Sequence, residues 1–270
     1  MTSTPPFLFV AWQNPEKRGI RVVGRLRNIG EGERSRYEFA YVNGALRAQQ
    51  EYGFRPFLAF PELGDVYFSD TLFPFFTNRV LRSTRRDYPA YIEDLGLTLQ
   101  DATPERILAR SGGQRMTDHV EIFAPPERDP ESGMDEMFFL LRGLRYMPPA
   151  TEERVARLAP GALLHCMLDF QNFYNQGAVA LRTEDNYLLG YMPDYLVEDV
   201  ALLRERAEPL AVLVDRVNPP PAPQGHRLLC RLQARWSADR RPFSDERFQP
   251  IVPLPEDTSA TPQWMAQLGS

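Results

Sequence analysis

No other part of the chain is as informative about its fold as the stretch from Arg142 to Pro193. Leu163 to Phe170 and Ala178 to Leu181 are apolar-rich runs of strand length. Tyr187 to Leu189 is a further short apolar run, followed at once by Gly190-Tyr191-Met192-Pro193. Between the first two runs lies the polar turn Asn172-Phe173-Tyr174-Asn175-Gln176-Gly177. Upstream stands Arg142-Gly143-Leu144-Arg145-Tyr146. Short apolar runs punctuated by Gly, Asn and Pro read as strands and turns.

The order of these three motifs resembles the HIRAN domain, a small β-barrel module that grips the 3′ end of single-stranded DNA. The resemblance covers residues 137–238. In that family the turn reads Asn-Pro-Tyr-Asp before an Ala-Ile/Val strand, and a Gly-Tyr/His-Leu-Pro-like turn follows. Here Asn175 takes the place of the family's acid, which accepts a hydrogen bond from the terminal 3′-hydroxyl. An amide oxygen accepts the same bond, more weakly than a carboxylate.

The resemblance implies five nucleic-acid-binding residues. Arg145 would reach phosphate, and Tyr146 would stack beside the end nucleotide. Tyr174 would stack on the terminal base, Asn175 would meet the 3′-hydroxyl, and Tyr191 would line the grip. Each has a plainer reading. Tyr174 can simply cover the barrel mouth, and Asn175 can simply make the turn. Arg145 and Tyr146 can be a strand-end pair, and Gly190-Tyr191-Met192-Pro193 is a sound structural turn by itself.

Charge limits how such a protein can bind. The chain of 270 residues has a net charge of −5. Residues 1–124 carry 16 basic and 15 acidic side chains, and residues 137–238 carry 11 of each. The deficit sits in 125–136 and in the tail after Ala238. Nonspecific capture of duplex DNA should therefore be weak, and binding would rest on stacking and an end pocket. Near-neutral charge equally suits a protein-interaction role.

The first 124 residues alternate strand candidates and helices. Phe7 to Trp12, Gly19 to Leu26, Tyr37 to Val42 and Val120 to Phe123 read as strands. Helices are expected over Pro74 to Arg85, Tyr88 to Leu95 and Pro104 to Arg110, the last with proline at its first position. On the first of these, Arg79, Arg82 and Arg86 would form one stripe, most simply a solvated face. Val23-Gly24-Arg25-Leu26, Tyr37 to Tyr41, Pro56 to Pro61 and Phe73-Pro74-Phe75-Phe76-Thr77-Asn78 resemble the N-terminal subdomain of HipA-type toxin kinases. In that family Leu-Leu-Pro-Glu follows; here Arg79-Val80-Leu81-Arg82-Ser83 stands instead. No kinase catalytic loop and no phosphate-cradling glycine loop follows, so no kinase activity is expected.

Residues 125–136 read as an acidic, proline-rich linker. Residues 239–270 read as a proline-rich extended tail whose Phe243, Phe248, Ile251 and Leu254 could dock on a domain surface. Cys166 and Cys230 sit in apolar runs and read as reduced, buried thiols. His119, His165 and His226 are scattered, so neither a metal nor a cofactor is expected. No apolar run approaches the roughly 18 residues of a membrane span, and the start lacks a signal peptide's pattern, so the cytoplasm is the expected compartment.

The sequence thus predicts an α+β protein: a small antiparallel sheet with helices, then a HIRAN-like, OB-related β-barrel. The expected function is non-catalytic binding of single-stranded DNA or DNA ends. The alternative is a regulatory module whose residues 7–124 dock on a HipA-type kinase core or another protein.

Overall fold

Phe39 and Tyr41 show how the first half is built: both are fully buried aromatic residues two apart on one strand, the period at which side chains share a face. The computed structural model describes residues 5–29, 36–115, 117–173, 175, 177–205, 209–236 and 242–254. Its elements in the first half are β1 (Leu8–Gln13), β2 (Ile20–Ile29), β3 (Arg36–Tyr41), α1 (Asn43–Tyr52), β4 (Val66–Ser69), α2 (Pro74–Thr77), α3 (Tyr88–Asp94), α4 (Pro104–Ser111) and β5 (Val120–Phe123). The second half contains β6 (Glu127–Arg128), β7 (Asp135–Leu140), α5 (Ala150–Ala156), β8 (Leu163–Leu168), β9 (Val179–Arg182), β10 (Leu188–Tyr191), α6 (Val197–Glu205), β11 (Leu210–Val217) and β12 (Leu228–Ala234). The protein is α+β, with two antiparallel sheets.

The first sheet has the order β4-β3-β2-β1-β5. Behind it, Phe39 stacks on Phe60 at 4.0 Å between ring centres and meets Phe76 at 5.9 Å. Such ring pairs contribute roughly 0.5–1.5 kcal/mol beyond their buried area. Arg27 and Glu38, directly opposite on β2 and β3, form a buried ion pair joined by two hydrogen bonds.

The second sheet has the order β10-β9-β8-β11-β12-β7-β6. It curls into a half-barrel until Arg142, two residues beyond β7, meets the end of β10. There the Arg142 N–H donates to the Tyr191 carbonyl at 2.9 Å, and the Tyr191 N–H donates to the Arg142 carbonyl at 2.8 Å. This seam joins the two flanks of the curled sheet. Within the expected linker, β6 pairs with β7. The Asp129 carboxylate accepts from the Ser132 N–H and hydroxyl in the turn between them.

One hydrophobic cluster runs from β1 and β5 into the barrel, including Phe9, Phe123, Met137, Leu181, Tyr195 and Leu232. Phe123 and Tyr195 stack face to face at 3.9 Å. A smaller cluster packs Ile92, Leu95 and Ile107 from α3 and α4 against Leu140 and Leu229, with Phe138 beside them.

Two expectations change, and two further segments take a definite form. The helix from Pro74 stops at Thr77, so Arg79, Arg82 and Arg86 form no stripe. Arg79 is instead buried, bonded to Asp118 and to the Gly113 carbonyl. That long-range partner outweighs about two more turns of exposed helix. The strand from Leu163 ends at Leu168, which leaves Phe170 in the turn. Pro56 to Pro61 holds turns around buried Phe60. The tail does dock: Phe243 is buried between Phe9, Phe123 and Phe248, and Pro250 bridges to Val42. Of the expected tail, residues 239–241 and 255–270 lie outside the described residues.

Candidate nucleic-acid interface

The barrel seam positions the candidate site. Gly190 is required there by close approach, since a Cβ at this position would lie 2.4 Å from the Arg142 carbonyl oxygen. The Arg142 side chain is pinned from the first sheet by Glu121 of β5 and by Gln114. Beyond it, Gly143 adopts φ 78°, in the left-handed region that favours glycine, and turns the chain into a 3₁₀ turn, Leu144–Tyr146. A Cβ on Gly143 would also press on the Tyr191 ring at 3.1 Å. Leu144 points into the core, whereas Arg145 and Tyr146 are exposed, with the Arg145 guanidinium 4.7 Å from the Tyr146 ring centre.

Tyr191 links this turn to the one between β8 and β9. Its hydroxyl donates to Asp169 Oδ2 at 2.9 Å. Burial, with the bond to that carboxylate second, raises the Tyr191 pKa, so the phenol keeps its proton. The β8–β9 turn is braced from within. The Asp169 N–H donates to the Ala178 carbonyl at 2.9 Å, and the Asn175 N–H to Asn172 Oδ1 at 3.1 Å. The Gly177 N–H donates to Asn175 Oδ1 at 2.9 Å. On this frame Phe170 and Phe173 project into solvent, at 73% and 92% exposure. Such exposure of large aromatic rings marks contact surfaces more than it serves folding.

Asp194, just after β10, lies beneath the turn. Burial raises its pKa, and a hydrogen bond with the Asn175 side chain offsets part of that rise. A bond that lowers a carboxylate's pKa is one donated to its charged form. The Asn175 amide is therefore committed on both sides: its oxygen to Gly177, its NH₂ to Asp194.

Arg145, Tyr146, Asn175 and Tyr191 thus belong to segments that meet at one end of the barrel. Tyr174 lies outside the described residues. Asp169, Phe170 and Phe173 were not singled out in the sequence. An apolar ring in a polar turn was the available signal for Phe173, whereas Phe170 stood within the apolar run expected as a strand. No group of His, Cys, Asp and Glu suited to a metal occurs among the described residues. Burial pushes the Cys166 thiol up to about 11, and raises that of Cys230 as well, so both stay protonated. Among the described residues no helix is long and apolar enough to cross a membrane.

No known family profile and no curated protein matches the sequence. Among solved structures, a structural-genomics protein from Lactobacillus plantarum matches with 21% identity and a TM-score of 0.31, over 37% of this chain and 90% of that one. The HIRAN domain of human HLTF matches with 12% identity and a TM-score of 0.28, over 37% of this chain and 74% of that one. Both likenesses are too distant to assign a fold or a role. The resemblance of the N-terminal half to HipA-type kinases gains no support from the comparisons.

Proposed function

We propose that this chain binds nucleic acid without catalysing a reaction, and that its ligand is single-stranded DNA or a DNA 3′ end, as in repair, replication or genome defence. The observation that carries this reading is the exposure of Tyr146, Phe170 and Phe173 on two turns that Tyr191 ties together, with Arg145 beside them. Aromatic faces stack on any base, and a guanidinium pairs with phosphate. The family resemblance of the same three motifs points the same way. On this reading Tyr174 shares the stacking surface, and the second lone pair of Asn175 Oδ1 takes the terminal hydroxyl.

The test is fluorescence anisotropy of the full chain with a labelled oligothymidylate at stated salt. Phe173→Ala and Tyr146→Ala should each cost about 1–3 kcal/mol of binding, with melting temperatures unchanged. Wild-type affinity no better for single strands than for duplex, or variants that bind equally well, would sink the proposal.

The second reading, a protein-docking role for residues 7–124, is favoured by Leu58, which is fully exposed at a loop of the first half. Loss of nucleic-acid binding altogether would bring it forward.

A further inference from the structure

The outward face of β8 continues the aromatic end of the barrel along its side. Leu163, His165 and Met167 alternate on that face, with Leu163 at 48% and Met167 at 41% exposure. Beyond β8 the chain passes into the turn that bears the exposed Phe170 and Phe173. The inward residues Leu164, Cys166 and Leu168 belong to the shared core. The helices α3 and α4 cover the barrel elsewhere, over Phe138, Leu140 and Leu229 on β7 and β12. Leu163 and Met167 thus leave apolar surface partly open to water at alternate positions of one strand.

Basic groups border this face. Arg182 stands opposite His165 in register on β9. Arg154, Arg157, Leu163 and His165 help line a cleft of 710 Å³ at its far end. Arg154 is paired with Asp185, which cancels that acid, and Glu184 is the remaining carboxylate on the rim. Arg157 is held only loosely by Glu153 at 3.7 Å, with both side chains about three-quarters exposed, so its charge is available to a ligand. The face of β8 itself bears no carboxylate.

We propose that this face is a track for the sugar–phosphate backbone and bases of a single strand whose end sits at Tyr146, Phe170 and Phe173. Met167 and Leu163 would underlie bases, and Arg182 and Arg157 would meet phosphates. The inference rests on the end-binding reading above and extends it. From Leu163 to Leu168 the strand spans roughly 17 Å at about 3.3 Å per residue, room for a few of the ~4–16 nucleotides one such barrel takes.

The experiment compares a short (~3-nucleotide) with a long (~10-nucleotide) oligothymidylate on the full chain, for the wild type, Met167→Glu and Arg157→Gln. Both substitutions are at exposed positions, and melting curves check that folding is kept. The long oligonucleotide should bind more tightly than the short one. Met167→Glu should weaken the long one by roughly five- to tenfold or more, because a carboxylate on the track repels the phosphates, and leave the short one within about twofold. Arg157→Gln should flatten the salt slope for the long one alone by about 0.7. Equal affinity for both lengths, or variants that weaken both alike or neither, overturns the track and leaves the end grip standing. If neither oligonucleotide binds, the end grip itself has failed and the track falls with it.

Discussion

Replacing Gly190 by alanine strikes the seam between Arg142 and Tyr191. The new methyl would sit 2.4 Å from the Arg142 carbonyl oxygen, and 3.0 Å from a Leu141 side-chain carbon. The first neighbour is backbone, so no rotamer change relieves the clash. One strand must pull away from the other, and the two seam hydrogen bonds lengthen together. Each is worth a net ~0.5–1.5 kcal/mol, and inserting a methyl into a filled site costs typically ~1–3 kcal/mol. The sum is about 2–6 kcal/mol, against the ~5–15 kcal/mol that holds a domain folded. For a chain of this size each kcal/mol moves the melting temperature by roughly 2–4 °C. Gly190→Ala should therefore melt about 4–24 °C below the wild type, read by circular dichroism. Gly64→Ala is the control, since nothing lies within 4 Å of its added methyl, and it should change stability by less than about 0.5 kcal/mol. Gly190→Ala should also weaken oligonucleotide binding, because Tyr191 moves with the strand. A melting temperature within about 2 °C of the wild type would show that the seam is slack and refute the reasoning.

Phe243→Ala should cost about 3–5 kcal/mol, far more than a loose tail residue would, and denaturant titration reads it directly. Asp194→Asn tests the buried carboxylate. Its folded pKa is raised, so its contribution is most favourable below the ordinary carboxylate range and is lost as pH rises through the folded value. The variant should accordingly gain stability relative to wild type near neutrality and gain nothing in acid, as a series of melts across pH would reveal. Asn175→Asp should do the reverse. It removes the donor to Asp194 and sets two carboxylates together, so it should lower the melting temperature at neutral pH and recover in acid; an unchanged profile would separate the two side chains.

What was legible in the sequence came from local pattern. Tyr37 to Val42 alternates, Pro104 opens its helix, and the turn motifs fall between their strands as expected. The seam could not be read, because nothing local announces that Gly190 must meet a carbonyl some fifty residues upstream. Arg79 misled for a similar reason: a buried arginine is set by Asp118, a distant partner, and helical spacing alone makes it look solvated. The candidate site divides the same way. Tyr146 and Tyr191 were found through motifs, whereas Phe170 was hidden by the apolar run it follows and surfaced only when the strand proved to end at Leu168. Asn175 looked like a weakened copy of an acid. With Asp194 beneath it, an amide is the side chain that gives a donor where a carboxylate would repel.

The stacked pair Phe123 and Tyr195, with Phe9 and Phe243 against Phe123, has a consequence for how the chain could be cut. A protease that nicked the hairpin tip between Asp129 and Gly133 would sever the backbone without separating the halves. Their contact is a filled aromatic interior, fastened at its rim by Glu121 and Arg142, and the two pieces would travel through a sizing column as one particle. The barrel without the first sheet would instead present Tyr195 and its neighbours to water.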